Sequence, residues 1–290
     1  MLVSSMAGWA MVAVGVPAGG GTMVPLLWHI GLVRGQGEQP YPDAPAVGPS
    51  GIRVDGTEGA GKAMTQADLD DVIGAFADAA AAAERIGFDG VELHGAHGYL
   101  IDQFLWERTN RRADGYGGDA VARTKFAAEI VAAVRAAVSP EFPVILRYSQ
   151  WKQDAYDARL AETPQALEAI LAPLVAAGVD AFHASTRRYW LPEFDGSDLN
   201  LAGWTKKLTG KPAITVGSVG LDGDFLHAFR GRGAELGSLD NLLDRMERDE
   251  FDLVAVGRAL LQDPEWASKV LEGRLDELKP YDAAALKTLS

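Results

Sequence analysis

The sequence predicts an α/β fold of the (β/α)8 (TIM-barrel) class, with about six of the eight strands present in its 290 residues. Short apolar runs, typical of parallel strands buried on both faces, alternate with stretches of helical spacing. Three of these runs follow the same kind of turn, as in Ala177-Gly-Val-Asp-Ala. The repeats are spaced by about 32 to 55 residues, which is the spacing of consecutive β-α units.

The elements can be assigned in chain order. Residues 1–23 have room for one helix but not for two β-α units, which leaves the barrel short of two strands. Thr65 and Asp68 form a capping-box pattern that predicts a helix start, and residues 35–64 lack periodicity and are expected to be irregular. The predicted strands are Val24–Gly31, Gly90–Leu93, Pro143–Tyr148, Ala181–Ala184, Ala213–Val216 and Leu253–Val256. The predicted helices are Thr65–Ile86, Thr124–Val138, Thr163–Ala177 and Leu239–Glu247.

Composition restricts the classes of function. The formal charge of -13, with no basic stripe, excludes nucleic acid as an expected partner. No apolar run is long enough to span a membrane, and the apolar N-terminal stretch lacks the basic start of a signal peptide. The absence of cysteine removes thiolate chemistry and fits a cytoplasmic protein. We expect one domain over residues 1–290, a small-molecule substrate and a possible homo-oligomer.

The segment 87–119 organises the functional prediction. It carries His94, His97 and Tyr99 within six residues, just past the predicted strand that ends at Leu93. In a parallel α/β barrel the loops after the strands meet at the catalytic mouth. Two histidines three residues apart could share a metal, could be purely structural, or could donate N–H groups to a substrate oxygen. With Tyr99 as a possible proton donor, the third interpretation uses all three side chains.

Three later strands carry an arginine or are followed by a glycine turn. Arg147 lies inside an apolar strand and needs an anion, a buried carboxylate or an electron-rich cofactor as its partner. Gly217-Ser218 and Gly257-Arg258 follow the last two predicted strands. Glycine lets backbone N–H groups approach a phosphate, and these folds often bind phosphate at that place. The two turns together therefore predict a phosphate site.

The motifs resemble those of the Old Yellow Enzyme family of FMN-dependent ene-reductases. Five segments occur in the family's order across residues 24–270, namely HGAHGYLIDQFL, NRRADGYGG, LRYS, GSVG and DLVAVGRALLQDPEW. The resemblance implies that His94 and His97 bind the oxygen of an activated alkene and that Tyr99 protonates the alkene carbon. It also implies FMN as the cofactor, with NADH or NADPH as the reductant. The resemblance implies that Gly217, Ser218, Gly257 and Arg258 hold the phosphate of FMN and that the edge of the flavin ring contacts Arg147.

Two departures from the family pattern carry expectations of their own. Leu26 stands where the family usually has a glutamine that hydrogen-bonds the flavin ring, so one polar contact to FMN would be lost. The family's first two strands have no counterpart, and the alternative function is therefore a truncated, catalytically impaired barrel fragment that binds FMN poorly. Open strand edges would make such a chain poorly soluble. Tyr189 and Trp190, on the loop after His183, are expected to line the substrate pocket.

Overall fold

The structure is a computed structural model that describes residues 2–39 and 41–287. These residues form two compact units, which divide between Phe182 and His183. The first unit contains α1 (Leu2–Ala18), β1 (Leu26–Leu27), β2 (Val47–Gly48), β3 (Lys62–Ala63), α2 (Gln66–Arg85), β4 (Val91–His97), α3 (Leu100–Leu105), α4 (Lys125–Ala137), β5 (Val144–Lys152) and α5 (Pro164–Ala177). The single domain over residues 1–290 remains a prediction.

The boundary between the units falls inside β6 (Ala181–Ser185). The second unit continues with α6 (Leu201–Thr209), β7 (Ala213–Val216), α7 (Phe225–Phe229), α8 (Asp240–Glu247), β8 (Leu253–Ala255), α9 (Arg258–Gln262) and α10 (Trp266–Leu271). The predicted alternation of strands and helices is confirmed, and the structure has α1 where one N-terminal helix was expected. Among the described residues, no helix is both long enough and apolar enough to cross a membrane.

Local sequence signals set the helix ends. Thr65 caps α2, accepting from the Asp68 backbone N–H while the Asp68 carboxylate accepts from the Thr65 N–H, so the predicted capping box is confirmed. The Thr163 side chain caps α5 by accepting from the Ala166 N–H, and Gly178 ends that helix in the left-handed conformation that glycine adopts most readily. These ends fix where each following strand begins.

The strands of the first unit pair in parallel, and their register decides which side chains share a face. β1 pairs with β4 through Leu26 opposite Glu92, and β4 pairs with β5 through His94 opposite Arg147. Register partners point to the same side of a sheet and successive residues alternate. Leu93 and Leu146 are therefore on the opposite face, where both are buried.

Three sequence predictions need correction. β4 extends to His97, so His94 and His97 lie within the strand and only Tyr99 follows it. The segment after Tyr99, for which the sequence predicted no helix, begins with α3, whose six residues are all buried. The region 35–64 was expected to be irregular but contains the short parallel pair of β2 and β3. The two-residue strands β2 and β3 and the six-residue helix α3 are too short to show the hydrophobic periodicity from which helices and strands were predicted.

The large side chains of that segment are buried, as large apolar and aromatic side chains usually are. Phe104, Leu105, Trp106 and Tyr116 are all buried. Phe104 packs against Phe126 of α4 with ring centroids 4.1 Å apart. The core beneath α3 therefore holds the residues that follow Tyr99 in a fixed position.

Candidate active site

His94, His97 and Tyr99 lie together at the carboxyl end of β4. The centroids of the two imidazole rings are 5.2 Å apart and their planes are almost perpendicular. The Tyr99 ring lies 5.1 Å from the His94 ring, also edge-on. The structure thus brings together the three side chains that the sequence selected.

The backbone at His97 has an unusual conformation that places its side chain. His97 has φ of +64°, a left-handed value that residues with a side chain rarely adopt. Its N–H donates to Ser149 Oγ at 3.0 Å, and the Ser149 hydroxyl donates to the Trp151 carbonyl. The end of β5 therefore holds the turn that presents His97.

The tautomer of His94 follows from its backbone contact. The Ala96 N–H donates to His94 Nδ1 at 3.3 Å. In the neutral imidazole the other nitrogen, Nε2, then carries the proton. His94 is thus prepared to donate an N–H to an oxygen atom.

Tyr99 keeps its proton at neutral pH. Burial raises the pKa of Tyr99 above its ordinary value of 10.0, and the charge of Asp154 acts in the same direction, against the hydrogen bond to Gln153. The phenol donates to Gln153 Oε1 at 3.2 Å. A protonated phenol beside two imidazoles can act as a general acid.

Arg147 and Leu26 lie on the same face of the sheet as His94. Arg147 is the register partner of His94, and Leu26 is the partner of Glu92. Burial lowers the pKa of Arg147, and the carboxylate of Glu92 opposes that shift. Arg147 remains a cation on the face that carries the histidines, and a glutamine in place of Leu26 would point the same way.

Two tryptophans pack against the histidines, and neither was among the site residues predicted from the sequence. Trp28 stacks on His94 with centroids 5.7 Å apart, and Trp151 stacks on His97 at 4.4 Å. Trp28 is half exposed and lines a groove of about 450 Å³ together with Leu26 and residues of α2. The signal available in the sequence was their place, with Trp28 two residues after Leu26 and Trp151 four residues after Arg147.

A buried ion pair lies beneath the same turn. Lys152 Nζ contacts Asp102 Oδ1 at 2.8 Å, and both side chains are fully buried. Asp102 Oδ2 accepts from the Gly98 N–H at 2.6 Å, next to His97. Lys152 also donates to the carbonyls of Ser149 and Gln150. The pair thus ties the end of β5 to α3 and to the turn that presents His97 and Tyr99.

The turn after β7 has space only for glycine at its first position. Gly217 has φ of +135°, and a Cβ there would lie 2.6 Å from the Thr186 carbonyl oxygen. Ser218 follows with φ of +53°, and its hydroxyl lies within hydrogen-bond distance of the carbonyls of Arg187 and Gly223. The chain thus turns tightly against the loop after β6.

We expect Gly217→Ala to destabilise the protein by about 1–3 kcal/mol, because the new methyl group would overlap backbone and the conformation is strained. The matched control is Gly74→Ala inside α2, where a Cβ meets nothing within 4 Å. That substitution should leave stability unchanged or raise it by up to about 1 kcal/mol. Urea denaturation of both variants measures the difference, and equal effects would contradict the assignment.

Arg258 faces the same turn. Its Nη2 donates to Ser218 Oγ at 3.1 Å and to the Gly223 carbonyl at 2.6 Å. Its Nη1 is buried and has no hydrogen-bond partner among the described residues. Burial lowers the pKa of Arg258, while Tyr281, Asp224 and Asp222 oppose the shift. A buried guanidinium with an unused donor is suited to an anion.

Two further arginines adjoin this turn. Arg187 Nε donates to Asp224 Oδ2 at 3.0 Å, and Arg188 Nη2 lies 3.7 Å from the same oxygen. The Asp224 side chain is 4% exposed. Two guanidinium groups thus contact one buried carboxylate, whose charge also acts on Arg258, and the local excess of positive charge favours an anionic ligand.

Tyr189 and Trp190 lie on the loop after β6, as expected. Their rings meet edge-on with centroids 5.2 Å apart. Tyr189 is buried and Asn200 donates to its carbonyl. Both aromatic residues line a groove of about 500 Å³ that also contains Ser218 and Asn241. Their assignment to substrate binding remains a prediction.

The metal interpretation of the histidine pair needs a third ligand. Within residues 2–39 and 41–287, no group of three or more His, Cys, Asp or Glu side chains is placed to hold a metal ion. The geometry of the described residues therefore gives that interpretation no support.

Comparison with known proteins identifies the family. The profile of the NADH:flavin oxidoreductase / NADH oxidase family matches residues 4–236. The chain belongs to this family. The resemblance to Old Yellow Enzymes that the motifs indicated is thereby confirmed.

Relatives and solved structures agree with the assignment. The chain is 36% identical over 224 residues to an NADH oxidase of Thermoanaerobacter brockii, covering 74% of this chain and 31% of the relative. It is 32% identical over 237 residues to a cinnamate reductase of Clostridium sporogenes, covering 75% of this chain and 33% of the relative. The chain thus spans about a third of the length of these two relatives.

A solved structure of morphinone reductase in complex with tetrahydroNAD superposes with a TM-score of 0.73 at 25% identity. The match covers 97% of this chain and 73% of the morphinone reductase chain. It confirms an α/β fold of the barrel type, in which the described residues form a parallel sheet of six strands besides the short pair of β2 and β3.

FMN is the cofactor of the family. The residues present fit its phosphate, because Arg258 Nη1 is buried without a partner among the described residues and the turn at Gly217 excludes any Cβ.

Proposed function

We propose that the chain is an FMN-dependent oxidoreductase that takes hydride from NADH or NADPH and delivers it to an activated, enone-like alkene. When bound, FMN supplies the hydride chemistry. Gly217, Ser218, Gly257 and Arg258 hold the phosphate of the cofactor. Arg147 contacts the edge of the ring, and Leu26 takes the place of a polar contact.

His94 and His97 bind the carbonyl oxygen of the alkene substrate. Their N–H groups stabilise the negative charge that grows on this oxygen as hydride reaches the β-carbon. Tyr99 gives its phenolic proton to the neighbouring carbon, which completes the reduction of the double bond. Tyr189 and Trp190 line the pocket of the small-molecule substrate.

One observation carries this proposal: the perpendicular pair of imidazoles, 5.2 Å apart, with a protonated tyrosine beside them. Two donors and one acid in a single cluster match a carbonyl oxygen and an adjacent carbon. The cinnamate reductase relative supports an alkene conjugated to a carbonyl group as the substrate class.

The test uses the visible absorption spectrum of the purified chain with FMN. Anaerobic NADPH or NADH should bleach the flavin band, and 2-cyclohexenone should restore it. A chain that takes up no FMN would favour the alternative of an impaired fragment. A flavin that is bleached but restored only by oxygen would contradict alkene reduction and leave the NAD(P)H-oxidising half.

A further inference from the structure

Among the buried donors of the second unit that lack an acceptor within the described residues, two lie in one cluster. They are Nη1 of Arg258 and the hydroxyl of Tyr281. The Cζ atom of Arg258 lies 5.6 Å from the centroid of the Tyr281 ring. A buried donor without an acceptor is destabilising, and two of them side by side indicate a ligand that supplies acceptor oxygens.

The backbone fixes Tyr281 in this place. Tyr281 and Ala234 exchange two backbone hydrogen bonds of 2.9 Å, which form an isolated antiparallel bridge. The next residue, Asp282, donates its N–H to Gln262 Oε1 of α9, the helix that begins at Arg258. The Tyr281 side chain is 2% exposed. The segment after Pro280 is thus attached to the helix that carries Arg258.

The charges around the pair favour an anion. Arg187 and Arg188 pair with the buried carboxylate of Asp224, whose charge also acts on Arg258, and Asp222 is exposed to solvent. Burial raises the pKa of Tyr281, although Arg258 opposes the shift, so the phenol is protonated at neutral pH and can donate. Ser218 and Arg258 Nη2 are already bonded to each other, which leaves Nη1 and the phenol for the ligand.

We propose that Tyr281 is a further anion-binding residue, whose hydroxyl donates, together with Nη1 of Arg258, to oxygens of one phosphate monoester. The inference rests on the proposed function in naming that monoester as the phosphate of FMN. Tyr281 has no part in the hydride chemistry. Its hydroxyl contributes affinity for the phosphate group alone.

The experiment compares FMN with riboflavin, which lacks the phosphate, in the full chain. Tyr281→Phe removes only the hydroxyl. We expect the Kd for FMN to rise on the order of 10- to 100-fold and the Kd for riboflavin to stay unchanged. The matched control is Tyr41→Phe, at an exposed tyrosine, which should change neither value. Equal FMN affinity in Tyr281→Phe and the unsubstituted chain would overturn the proposal.

Thermal unfolding separates an anion-binding hydroxyl from a structural one. Without ligand, the Tm of Tyr281→Phe should be equal to or above that of the unsubstituted chain, because the hydroxyl has no bond to lose. Inorganic phosphate should raise the Tm of the unsubstituted chain more than that of the variant. A lower Tm of the variant, with the same response to phosphate, would show a structural hydroxyl and overturn the proposal.

The binding and unfolding measurements together distinguish failure of the proposed function from failure of the Tyr281 assignment. If the unsubstituted chain responds to inorganic phosphate but takes up no FMN, the proposed function fails and the assignment of Tyr281 to anion binding stands. If FMN binds and the Tyr281→Phe variant binds it equally well, the proposed function stands and the assignment fails.

Discussion

Replacement of Tyr99 by phenylalanine is expected to slow alkene reduction on the order of 10²- to 10⁴-fold, the usual contribution of a general acid. The ring contacts with His94 and Trp28 do not need the hydroxyl, so the cluster should keep its shape. Bleaching of the flavin by NADPH or NADH needs no proton from Tyr99 and should keep its rate. Stopped-flow absorbance measures the two half-reactions separately.

The pH dependence gives an independent check on the same residue. The folded-state pKa of Tyr99 is raised above 10.0 by burial, so the donor form is fully present at neutral pH. Alkene reduction should be lost only as the pH rises through this raised value. The Gln153→Ala variant is a useful control, because it removes the hydrogen-bond acceptor of the Tyr99 phenol and keeps that phenol as the proton donor. Equal loss of both half-reactions in Tyr99→Phe would contradict a role in protonation.

The second large effect concerns stability. Lys152→Met should lower the free energy of unfolding by about 3–5 kcal/mol, because it leaves the fully buried carboxylate of Asp102 without its cation. Burial raises the pKa of Asp102 and lowers the pKa of Lys152, because removal from water disfavours the charged form of each group. Urea denaturation measures the loss.

Two controls test the explanation. Lys125→Met breaks an exposed contact of 3.7 Å with Glu129 and should change stability by less than about 1 kcal/mol. The double variant Lys152→Met with Asp102→Asn removes the stranded charge and should be more stable than the sum of the single effects predicts. A loss of less than about 1 kcal/mol in Lys152→Met would mean that the pair contributes little.

Part of this protein could be predicted from local sequence. The capping box at Thr65 and the glycine after α5 act within four residues, so their consequences are visible in the chain itself. The spacing of strands and helices likewise reports the β-α alternation, because burial on both sides leaves an apolar run. The motifs around His94 and Arg258 indicated the family because each is continuous in sequence.

The limits of β4 and α3 could not be predicted in this way. His94, Gly95 and His97 do not resemble a strand, yet β4 continues through them because β5 supplies hydrogen-bonding partners as far as Lys152. α3 has six residues, too few to show a helical period, and its burial under the core decides its conformation.

Local motifs were enough to predict the fold class, the family and the three side chains of the candidate active site. The packing of distant segments was needed to establish how side chains are held: Ser149 and Trp151 fix His97, Lys152 reaches Asp102, and Tyr281 packs on Arg258. Each of these contacts joins residues about 20 to 50 positions apart, and their energies depend on burial and on geometry within a few ångströms. No local pattern of residue types records either quantity, because both arise when distant segments pack together.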